Sequence, residues 1–259
     1  METVSVIMPF KDGHHFVYQA LDSVALQRGF DIEVVIVDDM SKIPLDLSSI
    51  RFPHRIKLIR NENPERCGAG SARGAALEAA SGRFIAFLDC DDIWAEGKLE
   101  YQINEMIKND WAMSFGAYSS FNGESISQEG CVIRDLYVPR GKVNFSGFLG
   151  KRFTVGCLTV VYDRSKLLDP KPSDLKRRND YHMWAQLALQ GDPENLNWGI
   201  LPKCLGYYRV QDESLSSSKR KSILSQWEFL RKIDMPVWRR VGFFIEYIFR
   251  TSFRRFLHG

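Results

Sequence analysis

The chain has 259 residues, 44% hydrophobic and 26% charged, enough to bury a substantial core in one large domain or one domain with an extension. Its net charge of +3 is uneven: residues 219–259 hold ten Lys/Arg against three Asp/Glu, and the preceding 218 residues hold 25 basic and 29 acidic groups. The absence of any run of about 18 uncharged apolar residues argues against a transmembrane helix, and the five scattered cysteines, with no C-x-x-C pair, fit reduced thiols better than a disulfide framework or a zinc site.

The N-terminus opens directly into a strand, Thr3 to Met8, with no secretory pattern ahead of it. Phe16, Val17, Ala20, Leu21 and Val24 then recur at helical spacing. Ile32 to Val37 reads as a buried strand ending in Asp38-Asp39, and Ile56 to Ile59 as a short third strand. An alanine-rich helix over Gly70–Ala80 stops at Ser81-Gly82, a strand follows at Phe84–Leu88, and Leu99, Ile103, Met106 and Ile107 mark an amphipathic helix. Strands alternating with helices predict an α/β fold with a Rossmann-like, mostly parallel central sheet flanked by helices. Further on, residues 111–121, 154–162 and 204–210 read as strands. Residues 180–190 read as a helix burying Trp184, and two helices close the chain, from about Lys219 and from Pro236.

The chemistry concentrates where the Phe84–Leu88 strand ends, in Asp89, Asp91 and Asp92. Three carboxylates within four positions repel one another unless a cation neutralises them, and hard oxygen ligands suit Mg²⁺ or Mn²⁺. The competing reading is a solvated acidic turn before a helix N-cap. Ligands of such sheets bind outside the carboxyl ends of the strands. Two more polar clusters fall there, Pro9-Phe10-Lys11-Asp12 and Asp38-Asp39. The coincidence points to nucleotide or sugar-nucleotide chemistry, although no G-x-G-x-x-G follows the first strand.

In this order the motifs resemble the family 2 glycosyltransferases, inverting enzymes of the GT-A fold. The resemblance runs from residue 3 to about 216. It rests on Val4 to Lys11, Val35 to Ser41, Gly68 to Gly74 with its Arg73, Leu88 to Asp92 as a D-x-D element, Asn179 to Trp184, and Arg209 with Ser214 and Ser216. Within the family, Leu88 to Glu100 and Gly156 to Val160 are most similar to bacterial surface-polysaccharide enzymes (O-antigen, capsule or teichuronic type). Two departures stand out: Asn179 replaces a frequent Glu before the catalytic Asp, and Gln211 replaces a frequent His.

The resemblance implies roles residue by residue. Asp180 is the general base. Asp91, with Asp89, holds Mn²⁺ or Mg²⁺, and Asp92 is either a third ligand or an N-cap. Asp39, with Asp38, accepts from a uracil edge, and Phe10 stacks nearby between Pro9 and Lys11. Arg73 either fixes the aspartates or touches phosphate, its alternative being an ordinary surface arginine. Arg209 and Ser214 grip the diphosphate, and Asn179 and Trp184 contact the acceptor. The implied reaction moves a hexose from a UDP-sugar to a hydroxyl of a lipid-linked (diphosphate-lipid) saccharide in surface-polysaccharide synthesis. The alternatives are a sugar-nucleotide nucleotidyltransferase or a catalytically degenerate partner protein. Residues 1–218 form the expected glycosyltransferase domain and residues 219–259 a basic amphipathic helical extension. That extension either docks on an anionic membrane surface or packs on the body. No nucleic-acid module accompanies its charge. The expected location is cytoplasmic, peripheral on the inner face of the cytoplasmic membrane.

Overall fold

Alternate side chains of the first strands enter two different cores, which explains their unbroken apolar runs. In the computed structural model, which describes residues 1–48, 50–123, 126, 132–140, 143–210 and 219–253, β1 (Thr3–Phe10) lies parallel between β2 (Asp31–Asp39) and β4 (Phe84–Phe87). Ile7 pairs with Val35 and Phe87 and points into one core with them; Val4, Val6 and Met8 point into the other. The first core is covered by α2 (Ala69–Ala79) and α5 (Asn179–Ala188), the second by α1 (His14–Ala25) and α3 (Lys98–Lys108).

The sheet continues through β3 (Arg55–Asn61) at one edge. Beyond β4 come β8 (Val161–Asp163), β6 (Met113–Asn122), β9 (Trp198–Arg209) and β5 (Ile93–Trp94), with β7 (Val132–Tyr137) added to β6. Among the described strands β1–β4, β6 and β9 run one way and β5, β7 and β8 oppose them. The expected α/β sheet is therefore present, parallel in its first half and mixed in its second. A short helix, α4 (Phe145–Leu149), and the closing helices α6 (Lys219–Lys232) and α7 (Val237–Phe253) complete the chain.

Two elements differ from the sequence reading. Of the expected 154–162 strand only Val161 and Tyr162 are in the sheet, within β8 (Val161–Asp163), and Cys157–Thr159 forms a single 3-10 turn. The Gln102 amide donates to the Thr159 carbonyl, and Thr159 Oγ1 donates to that of Gly156, so these carbonyls find partners without a ladder. Conversely β9 starts six residues early. Its pairing with β6 jumps from Leu201 to Cys204, so Pro202, which cannot donate to a ladder, sits in a bulge.

The closing helices share the first core. Phe229 and Leu230 of α6, and Ile233 just after it, join the cluster that holds Trp184, and α7 packs its Phe244 ring 5.1 Å from Trp227.

Candidate active site

The turn after β4 is fastened to the end of β9. Asp92 Oδ1 accepts the Arg209 backbone N–H at 2.9 Å, and Arg209 Nε donates to the Asp91 carbonyl at 2.8 Å. Asp92 is thus a structural acceptor, and the capping alternative fails because α3 begins only at Lys98 after Gly97. The Arg209 guanidinium is buried against the Phe16 and Phe121 rings and donates to Gly123 O and Gln19 Oε1. Placed this way, its donors are directed to protein acceptors, and the residue positions the acidic turn.

Burial, followed by the Asp89 charge, pushes the Asp91 carboxyl up to about 6. Burial and then the Asp91 and Asp89 charges carry Asp92 well above the usual carboxylate range. Carboxyls that resist ionisation together are the chemical signature of a site short of positive charge, so the residues present fit a divalent cation. Among the described residues no three His, Cys, Asp or Glu side chains converge on one point. Mg²⁺ or Mn²⁺ suits this, because such ions commonly take one or two carboxylates and complete their shell with phosphate and water.

Arg73 connects this turn to α5. It lies on the inner face of α2, 4% exposed, ion-paired through Nη2 with Asp89 and donating from Nη1 to Asn179 Oδ1 at 2.5 Å. Burial opposes its charge, but Asp89 and its neighbours outweigh that and hold the guanidinium firmly protonated. The approach depends on Gly70: a Cβ there would meet the Ser173 carbonyl and come within 3.0 Å of Asn179 Cβ. Small residues on α2 therefore let the segment before α5 lie close enough for Asn179 to reach Arg73.

Asp180 sits in the first turn of α5, where the positive end of the helix favours a carboxylate. It lines a cavity of about 670 Å³ together with Arg73, Asp89, Asp91, Asn179 and Arg209. Trp184 is a correction: fully buried, edge-on to Phe87 at 4.7 Å, it anchors the helix and has no surface for an acceptor. Asn179 is 8% exposed, with its side-chain oxygen turned to Arg73.

The nucleotide-side residues gather at the neighbouring strand ends. Asp39 accepts from Gly68 N at 2.7 Å and Asn61 Nδ2 at 2.8 Å, with Lys11 Nζ 4.0 Å away. Gly68 has φ +103, which glycine adopts without strain, and that backbone aims its N–H at the carboxylate. Asp38 accepts from Ser41 N and Leu45 N. Burial alone would raise its carboxyl, but these bonds hold it below the ordinary value, so Asp38 shapes its own loop. Pro9 is buried, and Phe10 is 1% exposed, edge-on to His14. The Phe10 ring therefore offers no open face for stacking in this conformation. Ser214 and Gln211 lie outside the described residues.

Sequence reasoning missed other residues that line the cavity, Lys151, Lys176, Arg177, Arg178 and Tyr181. The Lys176-Arg177-Arg178 triplet directly before Asn179-Asp180 was the available signal.

Comparison with known proteins gives the family. The chain is 35% identical over 246 residues, 95% of its length and 92% of the relative's, to the Escherichia coli UDP-Glc:alpha-D-GlcNAc-diphosphoundecaprenol beta-1,3-glucosyltransferase WfgD. It is 32% identical, over 89% of its length and 88% of the relative's, to the putative teichuronic acid biosynthesis glycosyltransferase TuaG of Bacillus subtilis. Its fold matches S. aureus TarS 1-349 in complex with UDP-GlcNAc, with a TM-score of 0.63, 18% identity, and 96% of this chain and 72% of that one covered. The pattern described as Glycosyl transferase family 2 matches residues 5–164, and the chain accordingly belongs to that family of glycosyltransferases.

Proposed function

We propose that the enzyme transfers a hexose from a UDP-sugar to a hydroxyl of a lipid-linked, diphosphate-bearing saccharide, inverting the anomeric centre, in bacterial surface-polysaccharide synthesis. The observation that carries this reading is one cavity holding both Asp180 and the Asp89–Asp91 pair, with the buried Arg73 bonded to Asp89 and to the neighbour of Asp180. Donor and acceptor chemistry thereby meet in one place. The names of WfgD and TuaG support the acceptor class and the pathway.

In this mechanism Asp180 takes the proton from the acceptor hydroxyl as that oxygen attacks the anomeric carbon. Asp39, fixed by Gly68 N–H and Asn61, retains lone pairs for the N3–H of the base. Lys11, exposed beside it, offers a cation at the donor's edge. Arg73 holds Asp89 in place, and Arg209 holds the carbonyl of Asp91. A Mn²⁺ or Mg²⁺ on Asp91 and Asp89 would supply charge for the departing diphosphate.

The outer stripe of α7, Trp238, Val241, Ile245 and Phe249, is exposed at 39–74% while its inner face packs through Phe244 and Tyr247. The helix thus packs on the body and still presents aromatics outward, with Arg239 exposed among them. That combination supports docking on an anionic membrane surface. Among the described residues no helix is long and apolar enough to cross a membrane.

The test is transfer from UDP-sugars to a diphosphate-lipid sugar with Mn²⁺ or EDTA. Asp180→Asn should cost about 10²–10⁴-fold in kcat, the usual worth of a general base, and product NMR should show inversion. A retained configuration would remove Asp180 from its role. Pyrophosphate release from a nucleoside triphosphate would replace the reading with a nucleotidyltransferase.

A further inference from the structure

The cavity lining carries both signs of charge. Asp89, Asp91 and Asp92 line it with Arg73 and Arg209 bound among them. Lys151, Lys176, Arg177 and Arg178 line it as well, as does Asp180. Among the described residues Lys176 and Arg177 have no hydrogen bond or ion pair. Two adjacent cations without an acidic partner, beside two more on the same cavity, make a site suited to receiving an anion.

Two of the four are held in place by the fold. Five described non-glycine residues have positive φ, and Lys151 (φ 52) and Arg178 (φ 58) are two of them. Side-chain residues in this region persist where the surroundings over-determine them, and they cluster at ligand clamps. Lys151 Nζ rests over the Tyr181 ring at 4.5 Å. Arg178 donates to Ser225 Oγ at 3.2 Å and to the Tyr247 hydroxyl at 3.0 Å. Long basic side chains fixed in advance lose less entropy when a ligand arrives.

We propose that Lys151, Lys176, Arg177 and Arg178 form a second diphosphate subsite, which receives the diphosphate of the acceptor and is separate from the donor's at Asp89 and Asp91. The proposal rests on the reading of the enzyme as a transferase to diphosphate-linked saccharides, and it assigns that substrate's anion to a wall of the cavity. The spacing suits it. Arg177 and Arg178 precede Asp180 by three and two residues, at most about 11 Å of extended chain, so an acceptor sugar with its hydroxyl at Asp180 would place its anomeric phosphate among them. Arginine forks and ammonium groups are the usual phosphate partners.

The probe is N-acetylglucosamine α-diphosphate carrying a short alkyl chain, compared with the same sugar on an uncharged alkyl aglycone. Lys176→Ala/Arg177→Ala removes two cations that make no hydrogen bond or ion pair with the described residues. It should raise KM for the diphosphate acceptor at least tenfold, leave KM for the UDP-sugar within twofold, and cut the preference for the diphosphate over the neutral acceptor by a similar factor. Lys176→Arg/Arg177→Lys should restore the preference. A rise in donor KM would assign these cations to the donor, and unchanged acceptor KM would overturn the subsite. Equilibrium binding of the same probe to wild type and variant reads the subsite without turnover, so an inactive preparation still decides it. Loss of binding to phosphatidylglycerol vesicles with probe affinity intact would give the cations to the bilayer and overturn the proposal.

Discussion

Arg73 is the residue whose loss reaches furthest. It is buried, carries the counter-charge of Asp89, and supplies the partner of Asn179. Removing one member of a fully buried pair leaves the other uncompensated at about 3–5 kcal/mol; Asp89 is 31% exposed and can be hydrated, so the loss here should fall below that range. Arg73→Ala should therefore lower the denaturation midpoint substantially, whereas Arg73→Lys keeps the charge but cannot span both partners, and should lower kcat more than stability. Equal stability of Arg73→Ala and wild type would refute the linking role.

Asp91 makes a prediction of opposite sign to most carboxylates. With its carboxyl raised from 3.8 to about 6 by burial and Asp89, the folded chain retains a proton through that window that the unfolded chain has lost. Its contribution to stability therefore falls as pH rises from about 4 to 6. A cation and this proton compete, so Mn²⁺ affinity measured by calorimetry should weaken up to about tenfold per pH unit below 6. A flat profile between pH 5 and 7 would contradict this.

At the scale of elements, the parallel half of the fold was legible because its strands are apolar for their whole length and their ends are acidic. The Phe84–Phe87 strand and the Asp38-Asp39 end fell where their sequence put them. The mixed half was less readable. Thr154 to Tyr162 has strand composition, but Gln102, distant in sequence, takes up the Thr159 carbonyl, and Pro202 hid the first half of β9 in a bulge. Phe10 and Trp184 looked like contact residues, yet their apolar surface joined the two cores. No spacing rule tells an aromatic that meets a ligand from one that packs beneath it. The start of α2 offers a sharp test. Gly68 holds a positive-φ, extended-ψ backbone (φ 103, ψ 157) in open space, so Gly68→Ala should cost about 1–3 kcal/mol through backbone alone. It should also weaken UDP binding as the N–H leaves Asp39. Unchanged stability and UDP affinity in the variant would contradict both.

For the whole molecule, the uneven charge seen in the sequence becomes geometry. α7 turns Tyr247 inward, 4% exposed, and Trp238 outward, 74% exposed. Arg250 is drawn to Glu246, which also holds Arg152, so Arg239 is the more available cation of the described helix. Trp238→Ser with Ile245→Ser should reduce co-sedimentation with phosphatidylglycerol vesicles several-fold while leaving the melting temperature nearly unchanged. Full retention on vesicles would dismiss the membrane role of this face.

The hydroxyl of Tyr247 that steadies Arg178 belongs to the same rigid rod whose far side bears Trp238 and Ile245. Whatever tilts or seats that rod, a lipid headgroup layer included, carries the guanidinium beside Asp180 along with it. Were the rod seated on lipid, anchorage and turnover would share a single lever; clipping the last helix should blunt catalysis even on acceptors dissolved in plain buffer.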